Sequence, residues 1–248
     1  MSARELFQAG KLNEAVQALG AEVRDHPTDV RRRTFLFELL CLQGEYDRAQ
    51  KHLNILADAT PESKMGAVLY MSALHAERVR HETFLKKDFP AAAAIPNERG
   101  GSLNGKPFTS FEDADPRVGA RLELFAAGAY LWIPLAHIES IETEPPTRLR
   151  DLLWLPALVR TGPSFKGMEL GEVLMPVVAP FSSKRPDDSI RLGRSTEFAE
   201  DDGLVVPFGQ RVFDVDGEEV PILEIRKLEF APAAPDAERD HAEDATAA

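Results

Sequence analysis

Three aspartates are the side chains of this sequence that could form a hydrolytic site: Asp113, Asp115 and Asp151. Carboxylates can act as general acid and general base, so a cleft that gathers these three would be a candidate hydrolase site. Arginines lie close to them in the sequence, at Arg117, Arg148 and Arg150. Because helix capping and pairing with arginine explain the same residues without any reaction, we favour a structural role and keep a hydrolase as an alternative.

The other side chains of catalytic or metal-binding type form no recognisable motif. The six histidines lack the spacing of a zinc site. Residues 99–102 lack the lysine and the preceding strand of a phosphate-binding loop, and no nucleophile lies in a recognisable elbow. The single cysteine, Cys41, lies in an apolar run and is expected to be a buried thiol. We therefore assign no catalytic residue from these patterns and predict no metal or cofactor.

The chain is acidic, which argues against nucleic acid as its main partner. It has 248 residues and a formal net charge of −12. Residues 1–90 hold 13 Lys and Arg and 13 Asp and Glu, so the remainder carries the whole excess, 16 against 28. No dense basic stripe is present. No apolar stretch is long enough to span a bilayer and the N-terminus shows no signal peptide, so we expect a cytoplasmic protein without a membrane partner.

The first sixty residues repeat themselves with a period of 34, the period of the tetratricopeptide helical hairpin. Five identities align at this offset: Leu6 with Leu40, Gly10 with Gly44, Ala15 with Ala49, Leu19 with Leu53, and Pro27 with Pro61. The glycines fall where one helix ends and the chain turns back, a place where positive φ is useful. The alanines fall where paired helices approach closely. Stacked helical hairpins are therefore expected.

Residues 1–89 are predicted to be a domain of tetratricopeptide-like hairpins. Helices are expected over residues 2–10, 12–25, 29–43, 46–59 and about 62–87. Asp29 is the expected N-cap of the third helix. The last helix loses the repeat signature, since Arg78 stands where the turn glycine should be, and we interpret it as an atypical capping helix.

The rest of the chain has a different pattern, so the predicted fold class is α+β. Residues 90–104 have the composition of a linker, and residues 231–248, with five acids and one arginine, are expected to be a disordered acidic tail. Between them, residues 105–230 are expected to form a mixed, mainly antiparallel β domain with one principal helix over residues 116–127. Asp115 and Pro116 are the start signal of that helix, and Gly128 is its end signal. Strands are expected at residues 102–103, 107–108, 129–133, 138–143, 157–160, 172–178, 195–199, 204–206, 211–215 and 220–230.

A block of the C-terminal half carries the motifs of a known family. These motifs are Gly105-Lys-Pro-Phe108, Asp113-Ala-Asp115, Arg117-Val-Gly119, Leu122-Glu123, Gly128-Ala-Tyr-Leu-Trp132-Ile-Pro134 and Leu149-Arg-Asp151-Leu-Leu-Trp154. With them, residues 105–156 resemble the ImpE family, also called TagJ or SciE, of type VI secretion accessory proteins. The helical repeats ahead of the block and the residues at 186–188, 191–194 and 216–219 fit the same family. The family-motif residues of most interest are Asp113, Asp115, Arg117, Trp132, Arg150, Asp151 and Trp154.

The resemblance implies a non-enzymatic adaptor with a protein partner. Family members are expected to bind the small subunit of the contractile sheath through its N-terminal helical segment. A general interaction scaffold with no role in secretion is the alternative. The sequence leaves the oligomeric state open.

Stacked helical hairpins present a concave surface that can receive a helix, which predicts where a partner binds. By repeat position, the candidate partner-binding residues are Arg31, Thr34, Glu38, Cys41 and Leu42 on the third helix, and Met65, Val68, Ser72 and His75 on the fifth. An equally good interpretation is that Cys41, Leu42 and Val68 are simply core residues.

Overall fold

A computed structural model describes residues 1–58, 61–89, 99–163, 165 and 169–232, with side chains left out for residues 61–63 and 65. Most of the predicted linker, residues 90–98, and the predicted tail from residue 233 onward lie outside the described residues. No helix among the described residues is both long and apolar enough to cross a bilayer.

Five helices form the first part of the chain. They are α1 (Ala3–Gln8), α2 (Leu12–Asp25), α3 (Val30–Leu42), α4 (Tyr46–Ala57) and α5 (Pro61–Lys86). Successive helices pack on each other, as the repeat predicts. The predicted cap of α3 is confirmed, since the Asp29 carboxylate accepts a hydrogen bond from the Arg32 backbone N–H at 3.0 Å.

The repeated glycines and alanines occupy the places that the 34-residue period predicts. Gly10 and Gly44 follow α1 and α3 with φ of 78° and 72°, a left-handed conformation that side chains other than glycine's rarely adopt. Ala15 and Ala49 are fully buried where α2 and α4 pack against their neighbours. The same residue types at the same offset therefore make the same turn and the same close approach twice.

Thirteen strands are described in the second part of the chain. They are β1 (Gly101–Leu103), β2 (Lys106–Phe108), β3 (Phe111–Asp113), β4 (Arg121–Ala126), β5 (Ala129–Pro134), β6 (Ile138–Thr143), β7 (Trp154–Thr161), β8 (Gly171–Pro176), β9 (Thr196–Asp201), β10 (Leu204–Gly209), β11 (Val212–Val215), β12 (Glu218–Pro221) and β13 (Lys227–Phe230). Eight of them form one antiparallel sheet in the order β2-β1-β13-β6-β7-β8-β4-β5, while β12-β11-β3 and β10-β9 form smaller sheets. A short helix, α6 (Asp188–Arg191), lies between β8 and β9. The predicted α+β fold class is confirmed.

The two faces of the eight-stranded sheet pack against different partners. The inner face, with Leu124, Leu155 and Met175, shares a core with Phe213 of the three-stranded sheet. The outer face, which carries Phe125, Trp154 and the partly buried Leu174, shares a core with the helices. The helical and β-rich parts of the chain are therefore packed together by buried apolar side chains.

The principal helix predicted over residues 116–127 is wrong. The Asp115 backbone carbonyl does accept hydrogen bonds from Val118 and Gly119, both at 2.9 Å, so the Asp-Pro signal makes a turn. Gly119 then takes a φ of 56°, which ends the turn, and β4 begins at Arg121. The final strand predicted over residues 220–230 is also split, because a short 3-10 helix (Ile222–Glu224) separates β12 from β13.

Candidate partner-binding groove

A groove lies between α5 and the outer face of the eight-stranded sheet, with a volume of about 740 Å³. One wall is α5, where Val68 and Leu69 are 57% and 46% exposed. The floor comes from β4, β7 and β8 and includes Phe125, Pro156 and Leu174. Large exposed apolar side chains beside a concave surface are typical of interaction sites on soluble proteins.

The register of the sheet places two glutamates on either side of a leucine in this groove. Glu142 on β6 is opposite Leu158 on β7, and Leu158 is opposite Glu172 on β8. Residues paired across antiparallel strands share a face, so these three side chains form a row on the outer face. Glu144, just beyond the end of β6, also lines the groove. We call Glu142, Glu144 and Glu172 the acidic rim.

A polar and aromatic cluster lies where α3, α5 and the short 3-10 helix Leu149–Leu152 meet the groove. The Tyr70 hydroxyl donates a hydrogen bond to Glu38 Oε1 at 2.9 Å. The guanidinium of Arg150 lies 5.8 Å from the centre of the Tyr70 ring, and the rings of Tyr70 and Trp154 are 6.5 Å apart. Burial raises the pKa of Glu38 to about 7, although the Tyr70 hydrogen bond and the charge of Arg150 oppose the shift.

A buried network of charges fixes α5 against the sheet. Arg80 on α5 and Glu123 on β4 are 2% and 1% exposed. Two hydrogen bonds join them, from Arg80 Nε to Glu123 Oε1 at 2.9 Å and from Arg80 Nη2 to Glu123 Oε2 at 3.1 Å. Arg211 lies 3.5 Å from Glu123 and is paired with Asp113. The network therefore joins the helical part of the chain to both β4 and β3.

The two buried carboxylates of this network have opposite pKa shifts. Burial alone would raise the pKa of Glu123, but the guanidiniums of Arg80 and Arg211 lower it to about 2. Burial raises the pKa of Asp113, and the neighbouring Glu123 charge adds to the increase while Arg211 opposes it. Because Glu123 has two cationic partners, its charge is stabilised in the interior. This pairing keeps the α5 wall of the groove in place above its floor.

Most of the family-motif residues stabilise the β-rich part. The Asp113 carboxylate is paired with Arg211 and also accepts a hydrogen bond from the Asp115 backbone N–H at 2.9 Å. Asp115 accepts a hydrogen bond from Arg117 Nη2 at 2.7 Å. Trp132 packs against the guanidinium of Arg121, which lies 4.7 Å from its ring centre.

Asp151, Arg150 and Trp154 lie closer to the groove. Asp151 Oδ2 accepts hydrogen bonds from the backbone N–H groups of Thr147 and Arg148, both at 2.9 Å, so the carboxylate caps a turn. It also borders a separate shallow cavity of about 250 Å³. Arg150 and Trp154 line the groove itself, and the Trp154 indole N–H donates to Glu77 Oε2 on α5 at 3.0 Å.

The predicted partner-binding residues are divided between the groove, the core and the surface. Val68 and Ser72 line the groove. Glu38, Cys41 and Leu42 are buried, and the last two border a small cavity that Trp154 also lines. Arg31 and His75 are exposed, and the Thr34 hydroxyl donates to the Val30 carbonyl at 2.9 Å. The side chain of Met65 lies outside the described residues.

Sequence reasoning missed the floor and the rim of the groove. The floor residues Pro156, Leu158 and Leu174 belong to strands that were predicted in part, but nothing in their pattern indicates which face the helices cover. The strand period of two places Glu172 and Leu174 on one face. This alternation was the sequence signal that could have put a rim residue and a floor residue on the same face. The described residues contain no group of three His, Cys, Asp or Glu side chains placed to hold a metal ion.

Comparison with known proteins identifies the family. The model of the ImpE protein family matches residues 105–229, and a tetratricopeptide repeat model matches residues 6–69. The chain belongs to the ImpE family. The ImpE match contains the floor and rim of the groove, and the repeat match contains the Val68 and Leu69 wall, so the groove lies where the two regions meet.

Two relatives agree with this assignment. The type VI secretion system accessory component TagJ of Pseudomonas aeruginosa is 32% identical over 272 residues, which cover 94% of this chain and 92% of TagJ. The crystal structure of a Vibrio parahaemolyticus protein superposes with a TM-score of 0.81 at 22% identity, covering 93% of this chain and 98% of that one. The first relative supports the family resemblance, which is confirmed, and the second shows the same fold.

Proposed function

We propose that this ImpE-family chain is a non-enzymatic accessory adaptor of a type VI secretion system. In this proposal it acts in the cytoplasm and holds a helical segment of the small contractile-sheath subunit in the groove between α5 and the sheet. The relation to TagJ supports the accessory role. The observation that carries the binding site is the groove, in which the exposed Val68 and Leu69 lie beside an apolar sheet floor.

An amphipathic helix suits a groove of this construction. A helix is about 10–12 Å wide with its side chains, and it presents apolar anchors at positions i, i+3, i+4 and i+7 along one face. The groove offers apolar surface to such a face on two sides, from Val68 and Leu69 and from Pro156 and Leu174. A helix also satisfies its own backbone hydrogen bonds, so docking leaves few backbone polar groups without partners.

The groove does not include the middle of α3, where repeat position predicts part of the binding site. Cys41 and Leu42 are buried, and Trp154 from the β-rich part packs on Phe37 of the same helix with ring centres 6.4 Å apart. The chain's own C-terminal part thus covers that portion of the helical surface. Val68 and Ser72, on α5, are the candidate residues that an external helix can reach in the groove.

A single charge placed on the apolar wall tests the proposal. We expect Val68→Glu to weaken binding of the small sheath subunit by about tenfold or more, because a carboxylate would be desolvated against the apolar face of the helix. Val68 is 57% exposed in the free protein, so the fold should tolerate the change. Isothermal titration calorimetry of the full chain with the sheath subunit measures the effect.

Ile55→Glu is the matched control. Ile55 is also β-branched and helical and is 49% exposed, but it lies on α4 and does not line the groove. The control should bind like the wild type, with unchanged circular dichroism in both variants. Equal affinity for Val68→Glu and Ile55→Glu would place the sheath subunit elsewhere or show that it is not the partner.

The two alternatives have less support. A scaffold unrelated to secretion would co-purify from its native cell with proteins other than sheath components, which is the observation that would favour it. A hydrolase built on Asp113, Asp115 and Asp151 is not favoured by any contact, because their carboxylates are engaged by Arg211, by Arg117 and by backbone N–H groups, respectively.

A further inference from the structure

The charges that line the groove are asymmetric. Three carboxylates, the acidic rim, and one guanidinium, that of Arg150, line the groove. Glu142 is paired with Arg160 at 2.8 Å, so the remaining negative charge of the rim comes from Glu144 and Glu172. Arg150 lies against the Tyr70 ring and 3.5 Å from the Asp151 carboxylate, so its charge is balanced within the chain. Glu144 and Glu172 are exposed to solvent. The groove as a whole therefore presents negative charge to whatever enters it.

The acidic rim lies across the groove from the α5 wall. α5 packs against β5, at one edge of the eight-stranded sheet, whereas the rim is carried by β8 and by β6, which is four strands from β5. The wall residues Val68, Leu69 and Ser72 carry no charge. A helix with its apolar face on the floor would thus have one edge against uncharged α5 side chains and the other edge against carboxylates.

We propose that the groove selects amphipathic helices that carry lysine or arginine along one edge of their apolar face. This inference rests on the proposed function, because it specifies the chemistry of the helix that the same groove receives. Opposite charges placed at the edge of an apolar contact fix the orientation of the bound helix and accelerate its association. Helices with acidic edges are rejected, because like charges would be brought together as the edge is partly desolvated.

The same charges argue against the chain's own tail as the occupant. Residues 233–248 contain five Asp and Glu and one Arg. That segment would meet the carboxylates of Glu144 and Glu172 with its own carboxylates. The asymmetry therefore favours a basic helix from another protein over the acidic C-terminal segment of this chain.

Charge reversal at the rim tests the inference. The double variant Glu144→Lys with Glu172→Lys is titrated with the small sheath subunit and compared with Glu200→Lys plus Glu218→Lys. Both pairs are exposed and change the net charge equally, but Glu200 and Glu218 lie on β9 and β12, away from the groove. We expect the rim variant to bind about tenfold more weakly near physiological salt and the control to bind nearly as the wild type does. The rim variant should also lose most of the salt dependence of binding.

Two outcomes of this experiment would overturn the inference. Equal weakening of binding in both double variants would show that only the net charge of the protein matters. Unchanged binding of the rim variant would show that the rim carboxylates do not contact a charged edge of the bound helix. If Val68→Glu abolishes binding while the rim variant binds normally, the rim inference fails and the proposed function stands. If Val68→Glu and the rim variant both bind normally, both proposals fail.

A second copy of the chain is the other candidate occupant of the groove. Sedimentation velocity of the free protein tests it by measuring the oligomeric state. We expect Val68→Glu and the wild type to sediment alike. A wild-type dimer that Val68→Glu converts to a monomer would assign the groove to self-association and overturn the inference.

Discussion

Glu38 shows how burial sets the charge state of a single side chain beside the groove. It is one of the residues that repeat position predicts as partner-binding, yet the structure buries it and pairs it with the Tyr70 hydroxyl. Burial in the interior disfavours the carboxylate and raises the pKa of Glu38 from 4.5 to about 7. The folded state therefore binds a proton at this site that the unfolded state releases as pH rises above about 4.5.

The sign of the resulting pH dependence follows from linkage. Between about pH 4.5 and pH 7 the folded state holds more protons at Glu38 than the unfolded state, so this group's contribution to stability falls as pH rises through that window. Glu38→Gln keeps an acceptor for Tyr70 and cannot ionise. We expect it to raise the free energy of unfolding by about 1–3 kcal/mol at about pH 8 and by much less at about pH 5. Urea denaturation at both pH values measures the difference.

Glu200→Gln, at an exposed position on β9, is the control for this experiment. It removes the same kind of charge without removing a buried one, and its stability should follow that of the wild type at both pH values. If the difference in free energy of unfolding between Glu38→Gln and the wild type does not grow with pH, burial does not hold the Glu38 carboxyl group in its neutral form.

Residues whose roles depend on near neighbours in the sequence were predicted, whereas residues with distant partners were not. Gly10, Gly44 and Asp29 were predicted correctly because turn and cap roles depend on neighbours within a few positions. The roles of Glu38 and Asp113 depend on Tyr70 and Arg211, which are 32 and 98 positions away. Local sequence patterns hold no information about pairs that only the folded chain brings together.

At the scale of elements, the Arg80–Glu123 pair connects α5 to β4 and sets the spacing of the groove. Removing one member of a buried pair leaves the other charge without its main partner, which typically costs about 3–5 kcal/mol. We therefore expect Arg80→Met to lower the free energy of unfolding by about that amount. The neighbouring Arg78→Met is the control, since Arg78 pairs with a largely exposed Asp47 and should change stability by less than about 1 kcal/mol.

A second variant separates loss of charge pairing from loss of packing. Arg80→Met combined with Glu123→Gln removes the carboxylate that has lost its main partner and should recover part of the stability that Arg80→Met loses. Urea denaturation of Arg80→Met, of Glu123→Gln and of the double variant measures the coupling between the two sites. If the double variant is less stable than Arg80→Met alone, the two side chains stabilise the protein by packing and not as an ion pair.

The wrong helix over residues 116–127 has an explanation at the same scale. Val118, Leu122 and Phe125 have helical spacing, but β4 is buried on both faces, between the inner core and the helices. Its residues 124–126 are apolar at consecutive positions and lack the alternation that marks a half-buried strand. Gly128, predicted as a helix end, instead makes the β4–β5 turn with φ of 83° and lies close to Ser72 of α5. The two-sided burial of β4 also explains why the floor of the groove could not be predicted, since it depends on which sheet face the helices cover.

The described helical and β-rich parts are packed together through one buried cluster, although two family models match different regions of the sequence. Phe125, Leu153 and Trp154 from the ImpE region belong to the same buried cluster as Phe37 and Leu74 from the helices. The predicted boundaries at residues 89 and 105 therefore remain predictions about sequence regions. A groove between two regions that share a core is preformed, so a partner helix would dock without first ordering its walls.

This shared core predicts that the two regions unfold together. Both tryptophans of the chain, Trp132 and Trp154, lie in the β-rich part, and five of the six α-helices among the described residues lie in the other part. Tryptophan fluorescence therefore follows the β-rich part and its packing on the helices, where Trp154 contacts Phe37 and Glu77. The circular dichroism signal of helices follows mainly the other part. We expect the two signals to give coincident urea transitions with one midpoint. Arg80→Met should shift both midpoints equally, whereas two separate midpoints in the wild type would mean that the regions are independently stable and that the groove opens between them.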